Sequence, residues 1–119
     1  MATFTKHHLS GSTGGTPIFL SSSSGQPTTI HTTGTSDTVL DEIWLYAHNN
    51  GASDSTLNIG YGTSAGGDSG IEVTVTAGSG LMLAVPGLLL SGDGTNAKTV
   101  SAYVSATGVN ITGYVNRIS

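Results

Sequence analysis

Leu40-Asp41-Glu42-Ile43-Trp44-Leu45-Tyr46-Ala47-His48-Asn49 is the run that decides the fold, and it holds the only tryptophan of the chain. It reads as one extended strand. Side chains alternate along a strand, so Ile43, Leu45 and Ala47 point one way and Glu42, Trp44, Tyr46 and His48 the other. Both sides therefore carry apolar bulk. A strand with one wet face would set polar residues opposite Ile43 and Leu45, so Trp44 and Tyr46 need cover from a second sheet or from another subunit. A chain of 119 residues has little spare structure with which to hide two rings outside its own core. One side of this strand is expected in the core and the other at an assembly surface.

Downstream, Asn49, Asn50 and Gly51 tolerate positive φ and predict a hairpin that returns in residues 56–61, with Leu57, Ile59 and Tyr61 on one face and Thr56, Asn58 and Gly60 on the other. Residues 62–70 read as a loop. Residues 71–76 alternate cleanly, Ile71, Val73 and Val75 against Glu72, Thr74 and Thr76. Residues 81–85 form the next strand, and Pro86, which has no N–H to give a ladder, should with Gly87 bend the chain before 88–90. The last strands, 99–106 and 109–118, join around Gly108. They oppose Val100, Ala102 and Val104 to Tyr103, and Val109, Ile111 and Val115 to Tyr114.

Upstream, residues 17–20 and 28–32 are short strand candidates separated by the turn formers SSSSGQP. Residues 1–15, with Phe4 and Leu9 as their only large apolar side chains, read as an N-terminal arm whose order depends on what it docks against. Residues 16–119 are then the folded domain. No helical period and no internal repeat is present. About eight short strands joined by glycine-rich turns predict an all-β, single-domain antiparallel β-sandwich, jelly-roll-like in its winding. An immunoglobulin-like sandwich is the alternative, without the cysteine pair that would mark it.

Composition narrows the function. Only 8% of residues are charged, against about 25% in an ordinary soluble domain, and 36% are hydrophobic, so the surface is made largely of hydroxyls, amides and backbone. The net charge of -4 sets seven acids against Lys6, Lys98 and Arg117, which leaves no basic stripe for a phosphate backbone. Nucleic acid is not an expected partner. The absence of cysteine removes disulfides and thiolate metal sites. MATFTKHHLSG has no apolar signal core, and the longest apolar run, residues 81–90, is interrupted and far too short for a membrane span. A soluble chain made without a secretion signal, and with no membrane partner, is expected.

Several motifs resemble chemistry and fail on context. Gly62-Thr63-Ser64-Ala65-Gly66 has the form of a nucleophile elbow, but an elbow leads into a helix and has its histidine downstream, whereas all four histidines precede Ser64. His48, Asp54 and Ser69 follow the order of a trypsin-like triad, yet the chain is too short for two barrels. His7 and His8 with His31 and His48 are candidate metal ligands, but the adjacent pair points to opposite sides of an extended segment and cannot share a site without help, so a solvated or subunit-facing arm is the better reading. Asp93 and Asn96 lie in a turn without the spaced carboxylates of a calcium loop. Asn110-Ile111-Thr112 spells a glycosylation sequon inside a strand, which carries no weight here. Trp44, Tyr46, Tyr61, Tyr103 and Tyr114 are the candidates for sugar stacking, though in a small sandwich such rings more often fill a core or a subunit interface. Neither an enzyme nor a cofactor is expected.

The order of segments, HHLSGSTGGTPI, TTIHT, LDEIWLYAHNNGASDSTLNIGYG, IEVTVTAGSGLMLAVPGLLLSGDG and a closing ITGYVNRI, resembles small virion structural proteins of tailed bacteriophages. The resemblance implies a capsid decoration or cement protein on the capsid exterior, assembled in the host cytoplasm. Its partners would be copies of itself, as a homotrimer, and the major capsid protein of the head. Such a protein needs a rigid, weakly charged body with surface to bury against neighbours. Phe4, His7, His8 and Leu9 of the arm, with Trp44, Tyr46, Tyr103 and Tyr114, are the expected subunit or capsid contacts. Another virion position (tail, neck or head fibre) and a carbohydrate-binding module are the competing readings.

Overall fold

The computed structural model describes residues 2–23, 25–63 and 69–119, and nine strands form among them with no helix. They are β1 (Phe4–His8), β2 (Ile18–Phe19), β3 (Thr28–Thr32), β4 (Leu40–Asn49), β5 (Ser55–Tyr61), β6 (Ile71–Val75), β7 (Met82–Leu90), β8 (Thr99–Val104) and β9 (Val109–Ile118). Their pairing is nested. β5 pairs with β6, β4 with β7, β3 with β8 and β2 with β9, all antiparallel, so the chain is one long ribbon doubled back between Tyr61 and Ile71. Rolling the ribbon joins β4 to β9 and β5 to β8 and divides it into two sheets.

Sheet A runs β1-β9-β4-β7, with β2 also paired to β9, and sheet B runs β3-β8-β5-β6. From β2 onward each strand lies in the sheet opposite its predecessor, except β6, which follows β5 within sheet B. The result is a β-sandwich wound as a jelly roll. An immunoglobulin sandwich differs, because it keeps its first two and its last two strands side by side in one sheet.

The alternation of β4 builds the core. Asp41, Ile43, Leu45, Ala47 and Asn49 are buried, while Glu42, Trp44, Tyr46 and His48 are half-buried on the other side. Val85, Val109, Ile111 and Val115 extend the buried layer of sheet A, and Ile30, Leu57, Ile59, Val75, Val100, Ala102 and Val104 face it from sheet B. Each larger side chain so buried contributes roughly 1.5–3 kcal/mol. Ile18 of β2, with Leu9 and Leu20 outside the strands, completes the cluster.

The expected hairpin is not formed. β4 and β5 lie in different sheets, as do β8 and β9 across their Gly108 connection. A two-residue hairpin turn requires positive φ at one or both central residues, and among the described residues no non-glycine residue has it, nor does Gly51. The Asn49 side chain instead fastens a corner between sheets. Its Nδ2 donates to the carbonyls of Ser53 (2.9 Å) and Val75 (3.1 Å), and its Oδ1 accepts the Gly51 N–H (2.9 Å). The β8–β9 crossing lies directly against this corner, with the Asn50 N–H donating to the Gly108 carbonyl at 3.1 Å. A Cβ on Gly108 would fall 2.8 Å from the Gly51 Cα, so the two crossings can touch only through glycine.

Residues 81–90 also depart from expectation. In place of a bend between two strands, β7 runs continuously and absorbs Pro86 and Gly87 in a bulge opposite Ile43 and Trp44, with a second register shift opposite Leu45 and Tyr46. Proline is tolerated because β7 is an edge strand. Residues 4–11 of the N-terminal segment likewise find partners within the chain. β1 pairs with β9 from Phe4↔Ile118 to His8↔Tyr114, and the Gly11 N–H donates to the Ile30 carbonyl at 2.9 Å. Leu9 is 1% exposed and packs into the core, so it is not the contact residue it was expected to be.

Gly87 has φ +76°, and a Cβ there would lie 2.7 Å from the indole of Trp44. Gly87→Ala combines a left-handed backbone with that clash, so it should cost about 1–3 kcal/mol. The expected outcome is a lower thermal midpoint, with a change in tryptophan emission that marks displacement of the ring.

Candidate assembly surface

The two outer faces of the sandwich are chemically unlike. Sheet B turns Thr29 and Thr32 of β3, Ser101 and Tyr103 of β8, Asn58 of β5 and Glu72 and Thr74 of β6 outward, a surface of hydroxyls and amides with one ring. Sheet A is different. Its register sets its outward side chains in rows across the strands: Phe4, Ile118 and Leu40; then Lys6, Asn116, Glu42 and Leu89; then His8, Tyr114, Trp44 and Pro86. Two further rows hold Thr112, Tyr46 and Leu83, and then Phe19, Asn110 and His48. Lys6 and Glu42 are the only charged residues in these rows, and they cancel.

The middle row is anchored by direct contacts. Trp44 and Tyr114, opposite each other on β4 and β9, stack with ring centroids 6.2 Å apart and planes 12° from parallel. Lys6 Nζ approaches the Tyr114 ring from the β1 side, 5.0 Å from its centroid, a favourable cation–π placement. Gly87 meets the indole from the β7 side. The Trp44 Nε1–H donates to Glu42 Oε1 at 2.7 Å, and Asn116 Nδ2 donates to the same oxygen at 3.0 Å. These two hydrogen bonds hold the Glu42 carboxyl below its usual value. The rings thus spend their faces on one another and on Lys6, which favours packing over sugar stacking.

Of the expected contact residues, Phe4, His8, Trp44, Tyr46 and Tyr114 come together on this face. His7 points to the opposite side of β1, where its Nε2 lies 3.0 Å from Thr5 Oγ1, and Tyr103 lies across the molecule on sheet B. An open groove of about 370 Å³ beside Lys6, His7, His8 and Tyr114 offers an ammonium and two imidazoles but no carboxylate. Among the described residues no three His, Asp or Glu side chains gather as metal ligands. The G-x-S-x-G motif lies largely outside the described residues. Asp54 uses its carboxylate to accept the Ala77 N–H at 2.9 Å.

Sequence reasoning missed the buried polar cluster beneath this face. Asp41 is 1% exposed. Its Oδ1 accepts from Arg117 Nε (2.8 Å), and its Oδ2 accepts from Arg117 Nη2 (3.0 Å) and His31 Nε2 (2.8 Å). Burial raises the Asp41 carboxyl, but the hydrogen bonds from Arg117 and then His31, with the guanidinium charge of Arg117, more than offset it and leave the group below its ordinary value. His31 Nδ1 accepts the Ser10 N–H at 3.0 Å, so the ring carries its hydrogen on Nε2 and gives it to Asp41. A histidine–aspartate pair of this kind can orient a base. Here the nitrogen that would serve a nucleophile is taken by a backbone amide, and the pair acts as a brace from β4 to β9 and β3. The signal was present in phase: Asp41 falls in step with Ile43 and Leu45, and Arg117 with Ile111 and Val115.

No protein-family model matches the chain, and no curated protein matches it.

Asp41→Ala should cost about 3 kcal/mol by leaving His31 and Arg117 without their acceptor, read from urea unfolding at neutral pH. The carboxyl is depressed in the folded state, so its contribution is full above the unfolded value of about 3.9 and is lost as pH falls through the lower folded value. Wild-type stability should therefore decline in that acid window, and Asp41→Ala should lack that part of the decline.

Proposed function

We propose that the protein is a non-catalytic structural component of a phage virion, a decoration or cement protein that attaches to the outside of the head as an oligomer and stabilises the shell. One observation carries this reading: one outer face is hydroxyl-rich, and the other sheet gathers the aromatic row and every exposed large hydrophobic side chain among the described residues, with no net charge in its rows. A monomer working alone has no use for so much exposed apolar surface on one sheet, since such surface marks an interaction site. The strand edges support assembly through side chains over ladder extension. β7 carries Pro86 and two register shifts, β3 carries one, and β1 and β6 are five residues long, all devices that blunt an edge against pairing. The resemblance in the order of segments supplies the virion context. A clamp that binds only the assembled shell stabilises it by its own binding free energy, opposing the pressure of packaged DNA.

Purified protein added to undecorated heads should bind saturably and raise their thermal or osmotic tolerance. Heads that take up no protein and melt unchanged would remove the reading.

A further inference from the structure

Six large hydrophobic side chains are exposed among the described residues, and all belong to the two margins of sheet A. Phe4 and Phe19, 69% and 59% exposed, stand on β1 and β2 at one margin; Leu81, Leu83, Leu88 and Leu89, 44–65% exposed, lie on or just before β7 at the other. Between them β9 and β4 present a mixed strip in which the Glu42 carboxylate is already bonded to Trp44 and Asn116. The exposed apolar surface is therefore divided between two margins of unlike chemistry, two rings set eight positions apart along β9, opposite Ile118 and Asn110, on one side and branched aliphatic chains on the other.

We propose that each margin is covered by the opposite margin of another copy of this chain, packed head to tail, with Phe4 and Phe19 of one copy against the β7 leucines of the next. This rests on the reading of the protein as an assembly component. Charge favours a second copy in this orientation. The chain carries a net charge of -4, yet among the described residues the margin strands β1, β2 and β7 hold no acid: Asp37, Asp54 and Asp93 lie in loops and Glu72 on sheet B. Copies thus meet where their mutual repulsion is least. A two-fold, face-on pair would instead bury Glu42 near the centre of the contact, where charge is ordinarily depleted. Unlike patches at opposite margins make a heterologous contact, which builds assemblies larger than a dimer. The blunted β7 edge excludes a continuous ladder between copies, so side chains must make the contact.

The test is mass in free solution, by sedimentation equilibrium, for the wild type and two variants. Phe4→Asp/Phe19→Asp spoils one margin and Leu83→Asp/Leu89→Asp the other. All four positions are exposed, so both variants should keep the wild-type circular dichroism. The wild type should form a discrete species larger than a dimer, and each variant should associate more weakly by more than about tenfold. Mixed in equal amounts, the two variants should form a one-to-one complex, because each supplies the margin the other lacks. A monomeric or dimeric wild type, or variants that fail to complement, would overturn the head-to-tail contact. Head binding is scored separately. A monomer that still saturates heads defeats this inference alone, and a larger assembly that ignores heads defeats only the virion reading.

Discussion

A carboxylate withdrawn from water must be met by donors, and meeting Asp41 sets much of this structure. Its position on β4 is one that alternation assigns to the core, so the charge cannot escape to solvent without shifting Ile43 and Leu45 outward as well. Arg117 answers from β9 in the same sheet and His31 from β3 in the other. The consecutive strands β3 and β4 and the distant β9 are thereby tied together at one end of the core. Asn49 does the equivalent work at the other end of β4, tying it to the β6 carbonyl of Val75. The apolar row between these residues supplies the bulk of the stabilisation, and the two polar anchors specify which strands supply it.

The same strand makes the outer surface. Its even-numbered side chains form the Trp44 row, and β9, which pairs with β4 over ten residues, brings Tyr114 against the indole. The bulge in β7 is needed for this, since only a residue without Cβ leaves room for the ring. Core and surface are consequently coupled: a register slip between β4 and β9 would unpair Asp41 and unstack Trp44 together. A rigid, neutral, aromatic-centred face follows from the requirement that buried a charge beneath it.

Periodicity made the sandwich legible, and β4 and β9 have the bounds that alternation gave them. The hairpin expected at Asn49-Asn50-Gly51 failed because turn-forming residues permit a sharp reversal without dictating where the next strand goes. Both flanks of β4 were better filled by β7 and β9, whose apolar rows bury against it along most of its length. The burial of His31 beside Asp41 escaped notice because a register shift beside Thr29 places Ile30 and His31 both inward, and no alternating pattern anticipates a bulge. The aromatic candidates were half legible. Trp44, Tyr46 and Tyr114 could be assigned to outward rows, but whether Tyr103 shared their face depended on which sheet β8 joined.

The sequence by itself determined that the chain is all-β, which residues of β4, β5, β6, β8 and β9 face inward, and that the surface is poor in charge, because these depend on side-chain period and composition alone. Only the tertiary structure decided the nested pairing, the jelly-roll winding, the Asp41–Arg117–His31 brace and the gathering of exposed phenylalanine and leucine at opposite margins of one sheet. The physical reason is that strand pairing is non-local: the backbone groups of a strand accept any antiparallel neighbour, and the choice among them is made by burial summed over the whole rolled ribbon.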